Sequence, residues 1–194
     1  MNRSKITLAA AAALAIGFSL AGCSTGSNQA DDSSSSASSS ASQHNEQDVT
    51  FAQGMVPHHK QAVEMSDMLL DKGDAVDAKV ATLAEQIKAA QGPEIAELTA
   101  WLEVWHAGSD MSGMDHSMSG MMSDSDMTAL DTASAKDAGK LFLQQMVEHH
   151  TSAVDMAKTE VDKGRNTDAV VMAKSIASGQ TAQITQMQDM LASM

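Results

Sequence analysis

Two histidine pairs carry the first hint of chemistry in this chain. His58-His59 is preceded by Met55 and followed by Met65, and His149-His150 has Met146 and Met156 in the same places. Residues three, four or seven apart share a face of a helix, so each segment, if helical, sets imidazoles beside two thioethers. Neutral imidazole binds copper, zinc and nickel, whereas thioether is a weak, soft ligand that favours Cu(I), and by analogy Ag(I), over hard cations. Calcium or magnesium would require an oxygen-rich loop, and none is visible. The competing explanation of a methionine stripe is packing, because methionine fills irregular gaps in cores; Met68, Met172, Met187 and Met190 are read that way. Buried histidine can likewise be polar packing or a pH-sensitive contact. The duplication of the pair with its flanking methionines favours a metal.

A third group lies between the two pairs. Met111, Met114, His116, Met118, Met121 and Met122, with Met127 beyond them, are spaced by Gly, Ser and Asp. Residues 107–131 read as a loop without helical periodicity, in which a thioether has no core to fill. The alternative is compositional drift in a low-complexity segment. The run from Met111 to Met122 resembles the Met-rich segments with Asp-His-Ser found in copper-resistance oxidases and copper-handling proteins.

Composition narrows the possibilities. The 194 residues contain 16 Met but 1 Cys, and 12 Lys+Arg against 25 Asp+Glu, a net charge of −13. Such acidity argues against nucleic-acid binding, since nothing would neutralise a phosphate backbone. One cysteine excludes an intrachain disulfide framework and any multi-cysteine zinc or iron–sulfur site.

The N-terminus bears on that cysteine. Arg3 and Lys5 precede an apolar run from Ile6 to Leu20, the layout of a secretory signal and too short for a comfortable membrane span. It ends in Leu20-Ala21-Gly22-Cys23, which resembles the lipobox of bacterial lipoproteins. The resemblance implies cleavage of residues 1–22, lipidation of Cys23 and an extracytoplasmic protein anchored to the membrane; the alternative is a plain secretory signal that leaves Cys23 a free thiol. With that thiol lipidated, Met and His are the soft and borderline ligands left. Residues 23–47 are Ser-rich and read as a flexible tether.

Positioning these residues falls to a repeat. Phe51, Met55, Val56, His58, His59, Ala62, Val63, Glu64 and Met65 match Phe142 to Met156 at an offset of 91; beyond Lys72-Gly73 and Lys163-Gly164 the offset becomes 89, pairing Ala84, Ile87, Gln91, Ile95, Leu98 and Leu102 with Ala173 to Leu191. The second stripe advances by three or four, which is helical and incompatible with a strand. Four helices are predicted near 47–72, 75–106, 134–163 and 166–193. Gly73 and Gly164 are expected as left-handed caps, and Asp74 with Asp77 and Ser134 with Asp137 have capping-box spacing. Pro57, inside the first helix, predicts a kink or a late start; Glu148 occupies its place in the second repeat. Neither hairpin can cover its own apolar stripe, so the expected fold is all-α, one four-helix bundle over 48–193, made of repeat one (48–106), the Met/His-rich crossover loop (107–131) and repeat two (134–193). Trp101, Trp105 and His106 are expected to close one end.

The sequence Phe51-x3-Met-Val-Pro-His-His-x2-Ala-Val-x-Met65 and its echo from Phe142 resemble the signature of the bacterial family called domain of unknown function 305. The resemblance covers about 48–193 and implies a ferritin-like bundle in a secreted or lipid-anchored protein, with copper binding or tolerance in some members. Carried over, it implies metal contacts from Met55, His58, His59, Met65, Met146, His149, His150 and Met156. The expected function is sequestration or delivery of copper, as Cu(I) or Ag(I) with Cu(II) possible at the histidines. Affinity should fall as pH drops through the unperturbed imidazole pKa near 6.5. Expected partners are the metal ion, the membrane through Cys23, and a metal-transfer protein or a second copy. The protein is not expected to be an enzyme: a di-iron carboxylate oxidase needs two Glu-x-x-His motifs, and only Glu103-x-x-His106 has the spacing. A structural or partner-binding lipoprotein without metal is the remaining alternative.

Overall fold

The computed structural model describes residues 43–108 and 120–194. The signal, most of the tether, Cys23, Met111, Met114, His116 and Met118 lie outside them. Four long helices, α1 (Glu46–Leu70), α2 (Ala78–Val104), α4 (Ala135–Lys163) and α5 (Thr167–Ala192), form the bundle, with a short α3 (Asp124–Thr132) before α4. There is no strand among the described residues, and no helix there is long and apolar enough to cross a membrane. With 25 to 29 residues apiece, the long helices measure roughly 38–44 Å. Two hairpins, α1 with α2 and α4 with α5, meet along an inner seam where α1 packs on α4. The seam is antiparallel: Asp48 near the start of α1 accepts hydrogen bonds from Arg165 and Asn166, just past the end of α4.

Local chemistry explains the helix ends. Asn45 caps α1 by accepting from the N–H groups of Gln47 and Asp48, while the Asp48 carboxylate accepts the Asn45 N–H; this reciprocal box starts the helix inside the segment read as tether. Gln43 O also accepts from Asn166, so the last residues of that segment belong to the bundle. Asp77 itself caps α2, and Asp74 falls in a 3-10 turn over Gly73–Ala75, which corrects its predicted capping role. Ser134 caps α4 as predicted. Gly73 is left-handed, with φ 70°, but Gly164 is extended (φ −65°, ψ 154°). Its glycine answers a different need, because a Cβ there would lie 2.2 Å from Glu160 Oε1. Pro57 does not delay α1, which begins at Glu46 and runs through it.

The larger correction concerns the crossover loop. Residues 124–132 are helical, started by a Ser123/Asp126 capping box and held by fully buried Leu130. Met122 is buried and Met127 packs on the same apolar cluster, so these two thioethers do fill a core. A nine-residue helix fixed by one leucine is too short to display periodicity.

Two apolar clusters occupy the bundle. One gathers Met65, Leu69, Leu83, Phe142, Leu143, Met146 and Met187, with Met68 and Met190 against it; the other gathers Phe51, Met55, Leu98, Trp101 and Trp105, with Met156 and Met172 against it. Burying each large apolar side chain contributes about 1.5–3 kcal/mol. Trp101 stacks on Trp105, which stacks on His44, while His106 is exposed with φ 53°.

Candidate metal centre

The antiparallel seam brings the two histidine pairs together. His58 and His149 lie ring against ring, with centroids 3.7 Å apart and a 37° tilt, and each is 6.3–6.4 Å from its neighbour in sequence, His59 or His150. All four imidazoles are buried, at 0–1% exposure. The methionines divide between the two apolar clusters: Met55 of α1 shares one with Met156 of α4, and Met65 of α1 shares the other with Met146 of α4. Each cluster thus receives one flanking methionine from each repeat. Met156 Sδ would lie 3.6 Å from a Cβ on Gly54, the residue before Met55.

The hydrogen bonds identify which ring nitrogens are open. Ser152 Oγ donates to His149 O at 3.0 Å, and a hydroxyl has a single proton. At 2.8 Å from His58 Nε2, it must therefore accept the His58 N–H, which leaves His58 Nδ1 as a bare lone pair. His150 Nε2 gives its proton to Gln183 Oε1 at 2.8 Å, with the same result. His59 Nε2 lies 3.0 Å from Glu94 Oε2, an ion-pair distance without hydrogen-bond alignment. Nδ1 of His58, His59 and His150, and both nitrogens of His149, have no hydrogen-bond partner. Leaving a buried polar group unsatisfied costs about 1–3 kcal/mol, so such a cluster requires an explanation. Soft and borderline metals fit it, since the donors are lone pairs of neutral imidazole with thioethers nearby.

Burial keeps three of the rings, those of His58, His149 and His150, neutral. It lowers His58 to about 3, with the positive forms of His59 and His150 adding repulsion. It lowers His150 to about 4, although the Gln183 bond works the other way, and depresses His149 further. Protons thus compete for these nitrogens far below the 6.5 expected of exposed imidazole.

The described residues do not form a ready-made cage: no three His, Cys, Asp or Glu side chains among them are gathered as a metal-holding group. Met121 and Met122 sit at the end of the crossover loop, with Met122 held by its backbone to the Gln61 amide. Gly120 lies over Ser152, where a Cβ would come within 2.1 Å of Oγ. The start of the same loop is tied to α1 by Gln53 donating to Gly108 O at 2.7 Å.

Ser152, Glu94 and Gln183 were not among the residues singled out from sequence. Ser152 matches Gln61 in the first repeat and has no repeat signal. Glu94 and Gln183 match each other at the offset of 89, a polar position close to the apolar stripe that could have been found. The stripe also buries Gln91, with both amide atoms unpartnered, and Gln180, with its amide oxygen unpartnered.

Comparison with known proteins follows this geometry. A DUF305 protein from Streptomyces coelicolor is 34% identical, with a TM-score of 0.71 over 76% of this chain and 91% of its own. A DUF305 fragment from Deinococcus radiodurans is 28% identical, with a TM-score of 0.69 over 77% and 98%. CopM in its Cu(II)-bound form is 30% identical, with a TM-score of 0.63 over 75% and 96%, and has also been solved in Cu(I)- and Ag-bound forms. No protein of curated function matches the chain. The profile of the family described as domain of unknown function (DUF305) matches residues 48–191, and the chain belongs to that family.

Proposed function

We propose that this protein binds copper, sequestering it or passing it on, through the histidine cluster at the α1–α4 seam and the methionines beside it. The observation that carries the reading is the set of buried imidazole nitrogens without partners, above all His149 with two. A neutral, unpaired imidazole in a dry core costs stability, and a bound soft metal would offset that cost while using the lone pairs. The similarity to CopM, solved with Cu(I), Cu(II) and Ag, supports the same chemistry. His58, His59, His149 and His150 would supply nitrogen, and Met55, Met65, Met146 and Met156 thioether sulfur. In this reading the protein has no catalytic role. It acts outside the cytoplasm, held to the membrane through a lipid on Cys23, and hands copper to a transfer partner or another copy.

Titration of the purified chain with Cu(I) against a competing chelator tests this. Withdrawal of metal from the chelator by wild type, and its loss in a His58→Ala/His149→Ala variant, is the expected result. A chelator signal unchanged by wild type would overturn the proposal.

A further inference from the structure

The repeats place different groups behind their second histidines. In the first, α2 brings Glu94 Oε2 to 3.0 Å from His59 Nε2. In the second, α5 brings Gln183 Oε1 to 2.8 Å from His150 Nε2. Glu94 and Gln183 are repeat equivalents, so the placement is duplicated and the charge is not. His59 is fully buried, while the Glu94 side chain keeps 23% of its exposure. One half of the cluster has a carboxylate in contact with an imidazole; its counterpart has a neutral amide.

That difference acts on whatever the rings bind. A carboxylate behind a ligating imidazole raises its basicity and strengthens metal binding. A fixed negative charge also attracts a dication twice as strongly as a monocation at the same distance. The methionine flanks are the same in both repeats, so the thioethers do not separate the halves. On the neutral side, a buried dication has no countercharge to offset its desolvation. We propose that Glu94 is a specificity-determining residue: it makes the His58–His59 half the one that takes Cu(II), and leaves the His149–His150 half, backed by Gln183, to Cu(I) and Ag(I). This rests on the copper-binding reading above and extends it by giving each half its own oxidation state.

The test compares full-length wild type, Glu94→Gln, Gln183→Glu and the double exchange, each titrated with Cu(I) and with Cu(II) against chelators for that ion. Glu94→Gln should weaken Cu(II) binding about tenfold, at the lower end of second-shell effects, and leave Cu(I) binding within about threefold. A tenfold change in the ratio raises the one-electron potential of the bound copper by about 59 mV, an independent readout. Gln183→Glu should strengthen Cu(II) binding, and it carries the test from the other side should Glu94→Gln fold poorly. Equal weakening of both ions, or no change in their ratio in either variant, overturns the assignment while leaving copper binding intact. Wild type that draws neither ion from its chelator overturns the copper reading and this inference with it.

Discussion

Ser152 has one proton and two neighbours that compete for it. Because the proton goes to His149 O, the oxygen accepts from His58 and fixes that ring with Nδ1 bare. A ligand oriented in this way costs less to organise around a metal, and outer partners of metal-bound histidine commonly contribute 10–100-fold in affinity. Ser152→Ala should therefore lower Cu(II) affinity by about that factor in chelator competition, with Ser152→Thr retaining most of it. Equal affinities in Ala and wild type would remove Ser152 from the site. Stability should fall by about 1–3 kcal/mol in urea unfolding, the penalty for a buried N–H without an acceptor.

Among the elements, α1 is the organiser. It contributes one histidine pair, and two of its glutamines hold the ends of the crossover loop. Gln61 does so twice over, donating to Met122 O at 2.9 Å and accepting the Met122 N–H at 2.7 Å. Gln61→Ala removes both bonds at a cost of about 1–3 kcal/mol, at roughly 0.5–1.5 kcal/mol each. Amide exchange at Met122 should accelerate at least tenfold while exchange at buried α4 positions changes little; protection unchanged at Met122 would show that apolar packing alone seats this segment. The long helices could be read from sequence because each carries an apolar stripe over many turns. α3 could not, since its order comes from a capping box and from Leu130 meeting a core that the other helices build.

At the scale of the whole molecule, the buried titratable groups oppose one another. His58 and His150 titrate near 3 and 4 in the folded protein and near 6.5 unfolded. Between those limits the unfolded chain binds more protons, so stability declines as pH falls below about 6.5, by about 1.4 kcal/mol per unit for each histidine at full effect. Glu160 has the reverse sign. It is fully buried; burial and the Asp48 carboxylate push it up to about 8. The stability it contributes is present below its unfolded pKa and lost as pH rises through 8. For Asp48 burial pushes upward, but Glu160 and the N–H groups of Asn45, Asn166 and Arg165 outweigh it and hold the carboxyl low. The metal-free protein should accordingly have its highest Tm near pH 6.5, declining toward pH 4 on one side and toward pH 8 on the other, and Glu160→Gln should abolish the alkaline decline while steepening the acid one, which Glu160 opposes above about 4.5. A flat profile between pH 5 and 6.5 would show that the histidines titrate normally.

What the sequence by itself determined is the local and the repeated. Helical stripes, the duplicated Met-His-His segments and the change of offset from 91 to 89 are written in spacing alone, because a helix face depends only on neighbours three and four residues away. From these followed an all-α bundle of two hairpins and the residues on which to look for a metal. Tertiary structure decided what each imidazole meets. His58 faces His149 and Ser152 only because α1 and α4 run antiparallel in one register, and His59 faces Glu94 because α2 folds back along α1; both registers are set by the summed burial of side chains far apart in the chain. The same packing moved the pKa values of His58, His149 and His150 well below 6.5 and turned Met122 from a loop thioether into a core residue, since burial belongs to the assembled bundle and not to any segment of it.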